Sequence, residues 1–404
     1  MEYKLALKLA LDAINVQTKV ENIKIDESLN RVLAENIYAL RDLPPFDNSA
    51  MDGYGFRHKE INKELKVARI VLAGDSVDSI LNEGECYKIM TGAKVPSDCD
   101  TIAPREICDR DNNTIRVNKA ISLGNAIRKR GEELAKDNLL LKKGEVITPA
   151  KIALLASQGI TDVNVFKNLN IAIISTGSEL KELNEKANDD ELYNINGINI
   201  KMHLKKFAIE SNYIGALDDN LQKSIKLFKN LQEYDIIISS GGVSKGDADY
   251  TKQALLKNGF KELFHGLKVK PGHPVLMGTM QGSFIIALPG NPLAAIIQLL
   301  TLGLPIIFKA RGMNSYFLNT IIAKMGKELT LKPNRVNIVL GNLVEGEFYP
   351  YKDNRYGSGM ITPLVESNAI AIFNETSTTI TKGSVINVIL LNQFDITSHY
   401  NYIN

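Results

Sequence analysis

Residues 234–250 read YDIIISSGGVSKGDADY. Ile236, Ile237 and Ile238 form a short β-branched run without charge, the pattern of a central strand in a sheet covered on both faces. Ser239, Ser240, Gly241, Gly242 and Ser244 follow at once, so the strand runs into a loop with almost no side chains, at the place where open α/β sheets bind ligands. Small residues let backbone N–H groups come close to an anion, and a helix over 251–256 adds the pull of its N-terminal dipole. Asp247 and Asp249 lie in the same loop and disfavour a bare phosphate. An anion-friendly backbone beside two carboxylates points to a phosphate held together with a divalent cation such as Mg²⁺, which takes one or two carboxylates plus phosphate oxygens. Taken alone, the loop fits an ordinary glycine-rich βα turn with capping aspartates equally well.

Outward from this loop the alternation of strand and helix continues. Residues 171–174 are strand-like and end in Ser175, Thr176, Gly177, Ser178 and Glu179; 199–209 is helical, 212–215 a strand, and 219–230 a helix. Residues 284–288 form another strand, followed by Pro289-Gly290-Asn291-Pro292 and an apolar helix over 293–302. Strands separated regularly by helices predict a doubly wound parallel sheet. Right-handed crossovers bring the strand C-termini onto one edge. Thr176, Gly177, Glu179, Asp218, Gly241, Asp249 and Pro289 all fall on that edge, and this convergence is a stronger signal than any single loop.

The flanks read differently. Residues 3–14 and 28–37 have the spacing of two amphipathic helices joined by a polar linker around 17–25. LPPFDNSAMDGYG, residues 43–55, is a loop by its proline, glycine and aspartate content. Short β-type runs follow at 67–72, 86–90, 101–104 and 114–117, with Thr91-Gly92-Ala93 as a small-residue turn. Arg128, Lys129, Arg130, Glu132 and Glu133 form a charge cluster that reads as a solvated connector. A helix over 147–158 opens at Thr148 and Pro149 and stops at Gly159; its apolar face suits the N-terminal helices, which makes the β-rich part an insert. Strand patterns at 318–323, 335–340, 369–373 and 385–391, with turns at Glu345-Gly346 and Lys382-Gly383, predict a small C-terminal barrel or sandwich. The expected domains are residues 1–42 with 128–168, 43–127, 169–312 and 316–398.

Composition narrows the function classes. The chain has 404 residues, long enough for two to four domains. With 48 basic and 46 acidic residues, a net charge of +2 gives no electrostatic case for nucleic acid. Cys86, Cys99 and Cys108 have no C-x-x-C spacing, which argues against a disulfide framework or zinc knuckle. Lys4, Lys8 and Asp12 interrupt the apolar N-terminus as a signal peptide would not allow, and no run is read as long enough for a membrane span. A cytoplasmic protein without membrane or nucleic-acid partner is expected.

The succession FDNSAMDGY, IMTGA, RGEE, STGSEL, SSGGVSKGDADYT, KVKPG and LPGNP resembles the molybdopterin molybdenumtransferases, relatives of the gephyrin C-terminal domain. The resemblance covers essentially the whole chain, is dense over residues 28–310 and thins after Tyr316. It implies a doubly wound α/β molybdopterin-binding domain with a discontinuous helical domain, a β-rich insert and a C-terminal β-barrel. It also implies insertion of molybdate into adenylylated molybdopterin with release of AMP, dependent on Mg²⁺. The implied assembly is a homodimer whose active cleft is shared between the α/β domain of one subunit and the insert of the other, with the molybdopterin adenylyltransferase as a further contact.

Matched position by position, the resemblance marks Asp52, Thr91, Glu179, Asp218 and Asp249 as catalytic, with Asp218 and Asp249 on the metal. Glu133, Thr176, Gly177, Ser240, Gly241, Gly242, Ser244, Lys270, Pro289 and Pro292 match substrate-binding positions. Glu133 stands where the family usually has Asp, and Asn194 replaces an Asp and is given no role. His273 and Gly266 fall where lysines are common, which predicts weaker or more pH-dependent oxyanion binding. Leu340 stands where the family often carries Arg, with Arg335 and Arg355 as replacements.

The chemistry requires a tetrahedral dianion to exchange oxo groups for two enedithiolate sulfurs while a pyrophosphate bond is cleaved. Repulsion among these negative charges is the obstacle, and a backbone nest at Gly241 and Gly242, Lys270 and Mg²⁺ would offset it. Glu179 and Asp52 are both candidates to orient a water or relay protons. Two other readings are a gephyrin-like scaffold, for which the chain carries no long linker or fused catalytic domain, and another nucleotide-handling enzyme on the same α/β fold, such as the adenylyltransferase or a pyridine-nucleotide amidase. Those enzymes lack the FDNSAMDGY insert.

Overall fold

The protein is described from a computed structural model, in which residues 1–75, 80–217, 220–243 and 250–391 are described. Asp218, Ser244, Asp247 and Asp249 lie outside the described residues.

The isoleucine run forms the strand Ile236–Ser240 at the heart of a six-stranded sheet, in spatial order Asn212–Leu217, Ile171–Thr176, Ile236–Ser240, Ser283–Leu288, Leu276–Met280, Lys261–His265. Alternation decides its burial. Ile236 and Ile238 face one core with Ile171, Ile173, Phe284, Ile286 and Leu288, whereas Ile237 faces another with Ala172, Ile174, Ile285 and Ala287. Helices Leu221–Asn230 and Tyr250–Lys257 cover the second face through Phe228, Ala254 and Leu255. The first four strands are parallel, as the alternation predicts. Leu276–Met280 is antiparallel to both neighbours, so the sheet is mixed rather than purely parallel. This hairpin turns through Gln281 and Gly282, at φ 48° and 98°, the positive values that a two-residue turn needs.

The first face is covered from two ends of the chain. Helix Tyr3–Ala13 buries Tyr3, Ala6, Ala10 and Leu11 there, so it packs on the α/β domain. Residues 292–310 form the core helix of the same face, with a π turn at Leu299–Gly303. Contrary to the expectation that no run reaches a membrane span, this helix is long and apolar enough, at 19 residues and mean hydropathy 2.0, but 94% of it is buried inside the fold.

The second predicted N-terminal helix, residues 28–37, does not form. Asn30 takes a left-handed φ of 63°, and Val32 and Leu33 make single bridges to Val146 and Val165. The polar linker before it is instead the strand Val20–Lys24, antiparallel to Asp162–Phe166. Helix Pro149–Ser157, capped by Thr148 Oγ1 accepting from the Lys151 amide, packs Leu155 with Leu33, Val163 and Val165. Its partner is this ribbon and not a helix pair.

The insert is a six-stranded sheet in the order Thr101–Pro104, Gly53–Phe56, Glu85–Ile89, Leu65–Val71, Thr114–Val117, Cys108–Asp111. Its proline-rich loop docks on the charge cluster read as a solvated connector. Asn48–Ser49 pairs with Ile127–Arg128, and the Asp47 carboxylate accepts from Lys129 Nζ and the Arg130 amide, both at 2.8 Å. The C-terminal region closes as a barrel of Ile321–Met325, Val336–Val344, Glu347–Pro350, Ala369–Phe373 and Val385–Leu390. A two-residue strand, Val269–Lys270, adds in parallel to Val336–Asn337 and ties the α/β domain to this barrel.

Because Ile238 is fully buried, Ile238→Ala is expected to cost about 3 kcal/mol of stability. Urea unfolding followed by circular dichroism checks this, and a loss below about 1 kcal/mol would contradict a close-packed sheet core.

Candidate active site

The C-terminal edge of the sheet faces the barrel across a cleft of about 1310 Å³. Thr176, Gly177, Glu179, Ser240, Gly241, Gly242, Lys270, Pro289 and Pro292 all line it. These are the predicted residues that the fold brings together. Asp52, Thr91 and Glu133 do not line this cleft; they sit on or beside the insert of the same chain.

The glycines at the strand end are required by close packing. Gly241 and Gly242 have φ of 97° and 63°. A Cβ on Gly241 would stand 2.3 Å from the Thr176 carbonyl oxygen, and one on Gly242 2.2 Å from Thr251 Oγ1. The Gly241 amide donates to the Leu288 carbonyl at 3.2 Å, and the Gly177 amide to Leu217 at 3.0 Å. The Gly241 N–H, expected in an anion nest, is thus taken up in closing the sheet edge.

Asn196, to which the sequence reading gave no role, clasps this edge. Its Nδ2 donates to Ser240 Oγ at 2.8 Å and to the Gly290 carbonyl at 2.7 Å, while Ser240 Oγ donates to the Pro289 carbonyl at 3.0 Å. One amide thus holds a helix start, a strand end and the LPGN loop together. Asn194 gains a structural role as the N-cap of helix Ile195–Lys206, accepting from the Gly197 amide. The sequence signal for the pair was two asparagines spaced two apart at a helix start, a pattern that capping alone explains.

Charge across the cleft is uneven. Among the described lining residues Glu179 is the one carboxylate, exposed and close over Gly177, and Lys270, His273 and Arg335 are the basic groups. Lys270 sits in register with Asn337, and Arg335 Nε donates to Asn337 Oδ1 at 3.4 Å. Burial, with Arg335 and Lys332 nearby, pushes the Lys270 ammonium below the usual lysine range. Leu340 is fully buried and its amide donates to the Tyr356 hydroxyl, so it is a core residue. Of the two replacement arginines, Arg335 lines the cleft and Arg355 does not.

On the insert, Asp52 Oδ1 accepts from the Thr91 amide at 2.8 Å and from Thr91 Oγ1 at 2.7 Å. These bonds, with Arg105 and Lys88 behind them, hold the Asp52 carboxyl below the usual carboxylate range. It is a fixed anion there, ill suited to taking up a proton near neutrality. Glu133 is exposed, and its amide donates to the Leu43 carbonyl. Among the described residues no three carboxylate, imidazole or thiolate groups come together as a metal cage.

Comparison with known proteins agrees along the chain. Residues 1–159 match the family model for the MoeA N-terminal region (domain I and II), residues 172–309 a probable molybdopterin binding domain, and residues 323–391 the MoeA C-terminal region (domain IV). The chain is 30% identical over 387 residues to a molybdopterin molybdenumtransferase of Staphylococcus epidermidis, covering 93% of this chain and 92% of that one. To the enzyme of the same description from Haemophilus influenzae it is 33% identical over 310 residues, 76% of each chain. A crystal structure of a molybdopterin biosynthesis moeA protein from Pyrococcus horikoshii OT3 superposes with a TM-score of 0.84 at 27% identity, covering 96% of this chain and 99% of that one.

The Asp52 geometry sets a pH expectation. A carboxylate with a lowered folded pKa stabilises the fold above its unfolded-state pKa, and that contribution is lost as pH falls through the folded value. Carboxyl-detected NMR titration should place Asp52 below ordinary aspartates, and Thr91→Ala should move it up; an Asp52 unmoved by that substitution would refute the assignment.

Proposed function

Since the chain belongs to the molybdopterin molybdenumtransferase family, an enzyme family of molybdenum cofactor biosynthesis, we propose that its cleft takes adenylylated molybdopterin and molybdate, inserts the metal and releases AMP. The observation that supports this reading is the cationic corner at Lys270 and Arg335, facing a cleft with one described carboxylate. Two cations near each other, with no carboxylate paired to them among the described residues, raise each other's free energy, and a dianion placed beside them lowers it.

In this reading Lys270 and Arg335 bind the oxyanion, and Asn196 holds the Ser240 and Gly290 segments so that the nucleotide phosphates meet a rigid edge. Glu179 is the cleft group placed to orient a water or hold a proton. Asp218 and Asp249 supply two carboxylates, a donor set that suits Mg²⁺ shared with substrate phosphate oxygens, and the ion would offset charge on the cleaved pyrophosphate. We place the enzyme in the cytoplasm as a homodimer in which Asp52, Thr91 and Glu133 of one subunit complete the cleft of the other. Contact with the molybdopterin adenylyltransferase would deliver the nucleotide.

Incubation with adenylylated molybdopterin and molybdate tests the reaction: AMP should appear only when molybdate is present. Lys270→Ala should raise the molybdate KM about tenfold or more, as loss of a charge-assisted contact does. As pH rises through the lowered Lys270 pKa, molybdate binding should weaken earlier than an ordinary lysine would dictate. Attachment of AMP to molybdopterin from ATP, without molybdate, would support the adenylyltransferase reading instead.

The shared cleft has its own test. Asp52→Ala and Lys270→Ala subunits, each impaired alone, should regain part of the wild-type rate when mixed and exchanged. Mixtures no more active than the separate variants would rule out a composite site.

A further inference from the structure

The core helix over residues 292–310 carries one amide side chain. Gln298 is fully buried, with Ile296, Ile297, Leu299 and Leu300 before and after it in the chain all core residues. Its Nε2 donates to the Pro271 carbonyl at 2.8 Å, and its Oε1 is buried without a partner. The orientation of the amide is dictated by that contact, since a carbonyl oxygen accepts only and the NH₂ must face it. On the same side Gly272, at φ 96°, lies flat against the side chain; a Cβ there would stand 2.5 Å from Gln298 Cγ.

The amide satisfies one buried acceptor, the Pro271 carbonyl, and leaves another, its own Oε1, unpaired, so its net contribution to stability is small. Gln298 is the last residue of the segment Pro292–Gln298, where the helix passes into the π turn Leu299–Gly303, and π turns often mark functional places in helices. The segment begins at Pro292 on the cleft wall, and the loop that Gln298 grips carries Lys270 and His273 into the same cleft.

We propose that Gln298 is a positioning residue for oxyanion binding, holding the Pro271–Gly272 backbone from behind so that Lys270 stays beside Arg335. One helix then fixes both the LPGN loop at its start and the cationic loop at its second turn. This inference rests on the oxyanion reading of the Lys270 corner given above.

The test uses the full chain, with molybdate and AMP as separate probes in calorimetric titrations and thermal unfolding alongside. Gln298→Met keeps length and approximate volume and removes the donor; Gln298→Leu serves where the Met variant does not fold. Molybdate affinity is expected to fall about tenfold, the scale of one lost positioning hydrogen bond, with AMP affinity unchanged and Tm lowered modestly by the Pro271 carbonyl left without its donor. Unchanged molybdate affinity in the variant, while Lys270→Ala loses it, overturns the role of Gln298 alone. A lower Tm with molybdate and AMP weakened alike assigns Gln298 to structure only and overturns it too. Failure of the wild-type protein to bind molybdate removes the oxyanion reading itself, and this inference with it.

Discussion

Everything at the cleft depends on burying Ile236, Ile237 and Ile238 on opposite faces of one sheet. Period-two alternation sends the first and third to one core and the second to the other. A strand buried on both faces cannot slip by one residue without exchanging its two cores, so its register against Ile171–Thr176 and Ser283–Leu288 is pinned. With register fixed, the strand ends stop level, and the loops that leave them have nowhere to go but one edge. The positive-φ glycines at 241 and 242 then allow those loops to touch Thr176 and Thr251 at distances that no side chain would tolerate.

That architecture was legible because its signals are local and strong. Charge-free β-branched runs, small residues after them and helices between them identify a sheet edge without any distant contact. What stayed hidden needed partners from afar. The pairing of Val20–Lys24 with Asp162–Phe166 joins residues more than a hundred positions apart, and the helical spacing of residues 28–37 gave no hint that Leu33 would be claimed by Val165. The Gln281-Gly282 hairpin was missed because a glutamine at positive φ carries little turn propensity.

The site divides the same way. Glycines and prolines announced themselves as loop residues beside strands, and Lys270 entered through the resemblance of KVKPG. Asn196 and Gln298 did not, since an asparagine in a first helical turn and a glutamine in an apolar helix each have an ordinary local explanation. Their roles appear only when Gly290 and Pro271, distant in sequence, arrive at their amides. Sequence likewise does not show that the Gly241 amide is already bonded to the Leu288 carbonyl.

The two-residue strand Val269–Lys270 makes the barrel a working wall of the cleft. On the other side of the opening, Asn291 Nδ2 donates to Ser358 Oγ and the Ala294 amide to the Ser358 carbonyl. The cleft's width is therefore gauged by a module whose own sequence looks bland. Drift in barrel residues that never meet a ligand is transmitted as spacing between the two walls, so the C-terminal barrel acts as a calliper for whatever the α/β domain holds.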